Sequence, residues 1–149
     1  MIVPLILESK HELPHAKKIM AVLEDYGVRH ELYFSSAHKA PKTTLEILDK
    51  YNEMKESVVI VSVTEGSNVL SAFLSANTHF PVIACPSGAS VASTLPNETP
   101  MLTVLDPENA GQAVVRLLGL TNKDLAKKVK NHIKVVNHGF SSNPVSLDD

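Results

Sequence analysis

Ser36-Ala37-His38-Lys39-Ala40-Pro41 places a hydroxyl, an imidazole and an ammonium within four consecutive residues. An imidazole exchanges protons near neutral pH, and a serine with a lysine can hold a phosphate. The same residues also suit a polar loop with a helix-capping serine. A second constellation, His11-Glu12-Leu13-Pro14-His15, has the spacing of a zinc-protease helix. That chemistry needs both histidines on one face of an intact helix. Pro14 is tolerated only in a first helical turn, so a helix starting there leaves His11 in the preceding loop, and no metal site is expected. The single cysteine, Cys85, excludes an internal disulfide and any multi-cysteine zinc module.

These residues need elements to position them. Apolar runs at 2–7, 29–35, 57–63, 80–85 and 101–105 read as five strands, with Pro4 weakening one ladder position in the first. The run 57–63 (SVVIVSV) is apolar on both faces, as in a buried parallel strand. Helical patterns fill the gaps. Residues 14–26 carry Ile19, Met20, Val22 and Leu23, with Gly27 as the stop, and 41–54 carry Leu45, Ile47, Leu48 and Tyr51. Residues 68–77 carry Leu70, Phe73 and Leu74. Asp106 and Pro107 open a helix over 107–118. A last helix over 121–136 is expected to be capped by Thr121, and the tail 139–149 to fray. Strand–helix alternation predicts a parallel sheet covered on both faces, with ligands beyond the carboxyl ends of the strands. The loops to inspect are therefore 8–12, 35–41, 64–68, 86–90 and 106–111.

The 149 residues fit one domain, 1–138, with a short tail. Fourteen Lys+Arg against sixteen Asp+Glu leave a net charge of -2, which argues against a nucleic-acid partner. No apolar run is long enough for a membrane span. No Lys or Arg precedes Lys10, so no secretory signal is expected and a cytoplasmic location is. A phosphoacceptor signalling domain needs an Asp after the third strand and a Lys after the fifth. Thr64-Glu65-Gly66 and Asp106-Pro107 supply neither. With 5% aromatic residues and no Trp, few rings are available to sandwich a flavin.

The stretch 36–41 resembles the S-A-H-[RK]-x-P signature of the phosphoribosylaminoimidazole carboxylase (PurE) family. The likeness extends to 75–86 (SANTHFPVIACP), Ser67-Asn68, 107–111 (PENAG) and 118–122 (LGLTN), and covers about residues 2–136. Lys39, with Asn77-Thr78, is similar to the animal-type branch that uses carbon dioxide directly, rather than to the mutase branch. The resemblance implies a flavodoxin-like α/β/α sandwich with a five-stranded parallel sheet and an extra C-terminal helix. It also implies a homo-octamer and carboxylation of aminoimidazole ribonucleotide at carbon 4, without ATP, biotin or metal. It makes His38 the acid/base, gives the 5′-phosphate to Ser36 and Lys39, and places Ser9, Ser67 and Asn68 at the substrate. Glu12 stands where the family has an Asp on the ribose hydroxyls.

Three features depart from the pattern. Glu8 and Glu65 occupy glycine positions in the loops after the first and third strands, and the loop after Pro86 is shorter than the family's. Two adjacent strands would then each send a carboxylate toward one pocket, which disfavours an anionic ligand. Two classes of function follow: a working carboxylase, or a noncatalytic relative that keeps the fold for assembly or for binding a nucleotide-like ligand.

Overall fold

The computed structural model describes residues 1–88, 95–138 and 140. Five strands, β1 (Val3–Leu7), β2 (His30–Phe34), β3 (Ile60–Val63), β4 (Val82–Ala84) and β5 (Leu102–Thr103), pair in parallel in the order β2-β1-β3-β4-β5. Five helices connect or follow them: α1 (Leu13–Tyr26), α2 (Pro41–Asn52), α3 (Val69–Ala76), α4 (Pro107–Gly119) and α5 (Lys123–Asn137). This is the expected flavodoxin-like sandwich with an extra C-terminal helix. A 3₁₀ turn, Lys10–Glu12, precedes α1.

Successive strand residues face opposite sides of the sheet, and the core divides accordingly. Val3, Leu5 and Leu7 pack with Ala16, Ile19 and Leu23 of α1, Val114 and Leu118 of α4 and Leu125 of α5. Ile2, Ile6 and Ile60 face the other way, onto Leu48 and Tyr51 of α2 and Leu70 and Leu74 of α3. Gly111 lets α1 and α4 close together, since a Cβ there would stand 2.7 Å from Val22 Cβ and 3.2 Å from the Ile19 carbonyl. Gly27 ends α1 in the left-handed region, at φ 70°.

Two sequence expectations need correction. The strand expected over 57–63 is regular only from Ile60. Pro4 has no N–H to give β3, so β1–β3 pairing consists of an isolated bridge, Ile2↔Val58, and then a ladder from Leu5↔Val61. The last helix is capped by Asn122, whose side chain accepts from the Leu125 amide at 2.9 Å, and not by Thr121. The Thr121 hydroxyl instead lies 2.9 Å from Ser57 Oγ and donates to the Leu118 carbonyl. Asp106 caps α4 as expected, accepting from the Asn109 amide at 2.7 Å. The short loop after Pro86 and the expected fraying tail fall largely on 89–94 and 139–149, outside the described residues apart from Ser87, Gly88 and Phe140.

A polar cluster ties edge strand β2 to α2. Glu31 Oε2 accepts from Lys50 Nζ and Tyr51 Oη, each at 2.6 Å, and from the Tyr33 hydroxyl. These donors, Lys50 first, hold Glu31 down at about 2. Because its folded value lies below its unfolded one, its contribution to stability is present above the ordinary carboxylate range and is lost as pH falls toward 2. The Glu31 and Lys50 side chains are 38% and 48% exposed, so water and salt screen the pair and the effect is small. Glu31→Gln is expected to flatten the stability loss between about pH 4.5 and 2 in acid titrations followed by circular dichroism. An unchanged acid limb contradicts this assignment.

Candidate active site

The strand order reverses between β1 and β3, and a crevice at such a switch point is where a sheet of this kind binds ligands. The loops after β1, β2 and β3 surround it. Ser35 continues from β2, its amide donating to the Leu7 carbonyl at 2.9 Å. Ser35 Oγ lies 2.7 Å from Thr44 Oγ1 on the first turns of α2, which anchors both ends of the 35–40 turn. Inside it, the Ala40 amide donates to the Ser36 carbonyl at 2.9 Å, and the Lys39 amide to Ser36 Oγ at 3.3 Å. Pro41 then opens α2. Ser36 is 6% exposed, whereas His38 and Lys39 are exposed.

In the β1 loop, Ser9 and Glu12 form a capping box. The Ser9 amide donates to Glu12 Oε2 at 2.8 Å, and the His11 amide to Ser9 Oγ at 3.3 Å. Glu12 is only 2% exposed. Burial raises its pKa above the ordinary carboxylate value, as does the charge of Glu8; the backbone amides of Ser9, Glu8 and Glu65 offset part of that rise. A ribose contact is implied for Glu12 by its motif position. In this conformation it shapes its own loop and faces the backbone of the β3 loop.

Glu8 is half-buried, and its Oε1 accepts from Ser36 Oγ at 3.2 Å. Glu65, in contrast, is solvent-exposed, and its main chain is what meets neighbours. Its carbonyl would lie 2.5 Å from a Cβ at Gly88, so glycine is required there for the loops after β3 and β4 to touch. The Ser87 amide adds a bond to the Thr64 carbonyl at 2.9 Å. Of the two expected intruding carboxylates, Glu8 is therefore the one in contact with the 36–41 segment.

The structure thus brings Glu8, Ser36 and the Lys39 main-chain amide together, with Ser9 and Glu12 in the adjoining loop, while the His38 and Lys39 side chains stay exposed. Ser67 and Asn68 lie at the start of α3, where they line a groove with Val69, Ala72, Phe73 and Pro96. Among the described residues, no hydrogen bond joins Ser67 or Asn68 to the 8–12 or 35–40 loops. The zinc-protease spacing dissolves. His11 sits exposed in the 3₁₀ turn, while His15, in α1, places Nε2 3.3 Å from Cys85 Sγ. Burial lowers the His15 pKa and pushes the Cys85 thiol up to about 12, so this cysteine stays protonated at neutral pH and is no nucleophile.

The model of the family described as AIR carboxylase matches residues 2–138. The chain belongs to this family. A phosphoribosylaminoimidazole carboxylase of Archaeoglobus fulgidus is 39% identical over 133 residues, covering 84% of this chain and 73% of that protein. A Drosophila melanogaster protein, named as a bifunctional phosphoribosylaminoimidazole carboxylase/phosphoribosylaminoimidazole succinocarboxamide synthetase, is 32% identical over 145 residues. The alignment covers 92% of this chain but only 33% of that one, so the chain spans about a third of its bifunctional relative. The crystal structure of Treponema denticola PurE superposes with a TM-score of 0.85 over 93% of this chain and 92% of that one, at 23% identity, which supports the fold.

Proposed function

We propose that this chain carboxylates aminoimidazole ribonucleotide at carbon 4, giving carboxyaminoimidazole ribonucleotide in purine biosynthesis. The observation that carries the reading is the 36–41 turn, set at the carboxyl edge of the sheet beside the switch point, in a chain that matches the AIR carboxylase family from residue 2 to 138. The substrate's amino group makes carbon 4 enamine-like, so its electron pair attacks the carbon of carbon dioxide. A carbon–carbon bond forms, and the proton on carbon 4 must then leave. His38 takes that proton. In the reverse direction it returns the proton as carbon dioxide departs.

The remaining roles follow the family motif. Ser36 and Lys39 hold the 5′-phosphate, Ser9 lines the pocket, and Glu12 is assigned the ribose hydroxyls. Ser67 and Asn68 complete the substrate side from the start of α3. Lys39 supports the branch that uses carbon dioxide directly. The same reading makes the protein a cytoplasmic homo-octamer. Assembly has a surface to use: Ile133 and Val136, on the last turns of α5, are 37% and 50% exposed, whereas Leu125 and Val129 are buried against their own subunit.

A phosphate contact made equally in ground and transition states is uniform binding, so losing it raises KM and leaves kcat. Lys39→Ala is therefore expected to raise KM for the nucleotide by on the order of tenfold with kcat within about threefold, measured as steady-state decarboxylation. A fall in kcat at constant KM removes Lys39 from the phosphate and reopens its role.

A further inference from the structure

The Ser36 hydroxyl has one proton to donate, and the structure shows where it goes. Ser36 Oγ donates to Glu8 Oε1 at 3.2 Å and accepts from the Lys39 amide at 3.3 Å. Ser36 is 6% exposed, which limits its alternatives. Glu8 is set directly after β1, its own amide lying 3.4 Å from the Val63 carbonyl, so its carboxylate projects from the sheet edge. Among the described residues, no Lys, Arg or His side chain forms an ion pair with Glu8. The charge of Glu8 in turn bears on Glu12, another carboxylate.

The dianion of a phosphate monoester offers only acceptors, and so does an ionised carboxylate. Both cannot take the same proton. A phosphate arriving at Ser36 must displace Glu8 and then sit beside its negative charge.

We propose that Glu8 is a specificity-determining residue that occupies the phosphate subsite through its bond to Ser36, so that a 5′-phosphorylated ligand binds only by displacing a carboxylate. This rests on the reading of the 36–41 turn as a phosphate contact. The consequence is a selectivity unusual for a phosphate subsite: the phosphate adds little to affinity over the unphosphorylated riboside. Glu8→Gln keeps an acceptor oxygen for Ser36 and removes the charge. Glu8→Ala removes both, so the pair separates charge repulsion from competition for the proton.

The test is calorimetric titration of aminoimidazole ribonucleotide, and of aminoimidazole riboside, into the wild-type protein, Glu8→Gln and Glu8→Ala. Circular dichroism and melting serve as controls of folding. The expected result is that the variants bind the ribonucleotide at least about tenfold more tightly, as relief of a partly solvated like-charge contact allows. Riboside affinity should stay within about threefold. The isosteric Gln variant carries the test if the Ala variant is poorly folded. An unchanged or smaller ribonucleotide-to-riboside ratio overturns the proposal. So does equal tightening of both ligands, which signals a general opening of the pocket, and so does an absence of binding by all three proteins. Turnover of carboxyaminoimidazole ribonucleotide by the wild type separates the two readings. An active enzyme with an unchanged ratio sinks this proposal alone. An altered ratio without turnover sinks the carboxylase reading and leaves Glu8 in its role.

Discussion

Replacing His38 by Asn is expected to lower turnover by about 10²–10⁴-fold while the fold and its melting temperature stay as they are. The size follows from the chemistry. Without a positioned group to accept the proton from carbon 4, the proton passes to water, and the advantage of a general base is lost. Asn occupies similar space and can still hydrogen-bond, but it does not titrate near neutral pH. The stability half of the prediction follows from exposure: His38 is exposed and belongs to neither core cluster. Steady-state decarboxylation kinetics with a thermal melt check both halves. A His38→Asn enzyme within threefold of wild type takes His38 out of the mechanism. A large fall in melting temperature makes it structural instead.

Leu48→Ala has the largest expected effect on stability, about 2–5 kcal/mol. The buried residues of α2 are Thr44, Leu48 and Tyr51, spaced as one stripe along the helix. Leu48 is 0% exposed and shares its core with Ile2, Ile6 and Ile60 from the sheet. Truncation removes contacts from a close-packed layer and leaves a cavity that the surrounding strands fill only in part. The loss reaches the site as well, because Thr44 fastens the start of the same helix to Ser35. Urea unfolding followed by circular dichroism measures it. A loss under about 1 kcal/mol shows that α2 is held by something other than this stripe.

The layers of the fold were legible in the chain because they rest on local signals. Alternating β-branched runs and helical stripes follow from backbone geometry, and Gly27 and Asp106 mark helix ends through conformations or caps they supply by themselves. The errors arose where a distant partner decides. Residues 57–59 read as strand, but Pro4 on the neighbouring strand withholds the ladder bond. Thr121 and Asn122 are both competent caps, and the Ser57 hydroxyl across the structure engages the first while the second takes the helix.

The site divides in the same way. The 36–41 segment is visible as a string, and so are Ser9 and Glu12 through their places in the family motif. Glu12 is buried beside the Glu65 backbone, and the Glu8–Ser36 bond spans 28 positions, so neither has a local signal. Gly88 was not singled out either. Its need for glycine arises from the approach of the Glu65 carbonyl, which the sequence does not display.

If this chain interconverts the 4-carboxylated and uncarboxylated nucleotides, the purified protein consumes carboxyaminoimidazole ribonucleotide, and the most direct measurement is the loss of that nucleotide's ultraviolet absorbance. The expected result is steady decarboxylation to aminoimidazole ribonucleotide that scales with enzyme concentration and disappears in His38→Asn. A folded wild-type protein that leaves the nucleotide unchanged above the uncatalysed rate contradicts the account and makes the chain a noncatalytic member of its family.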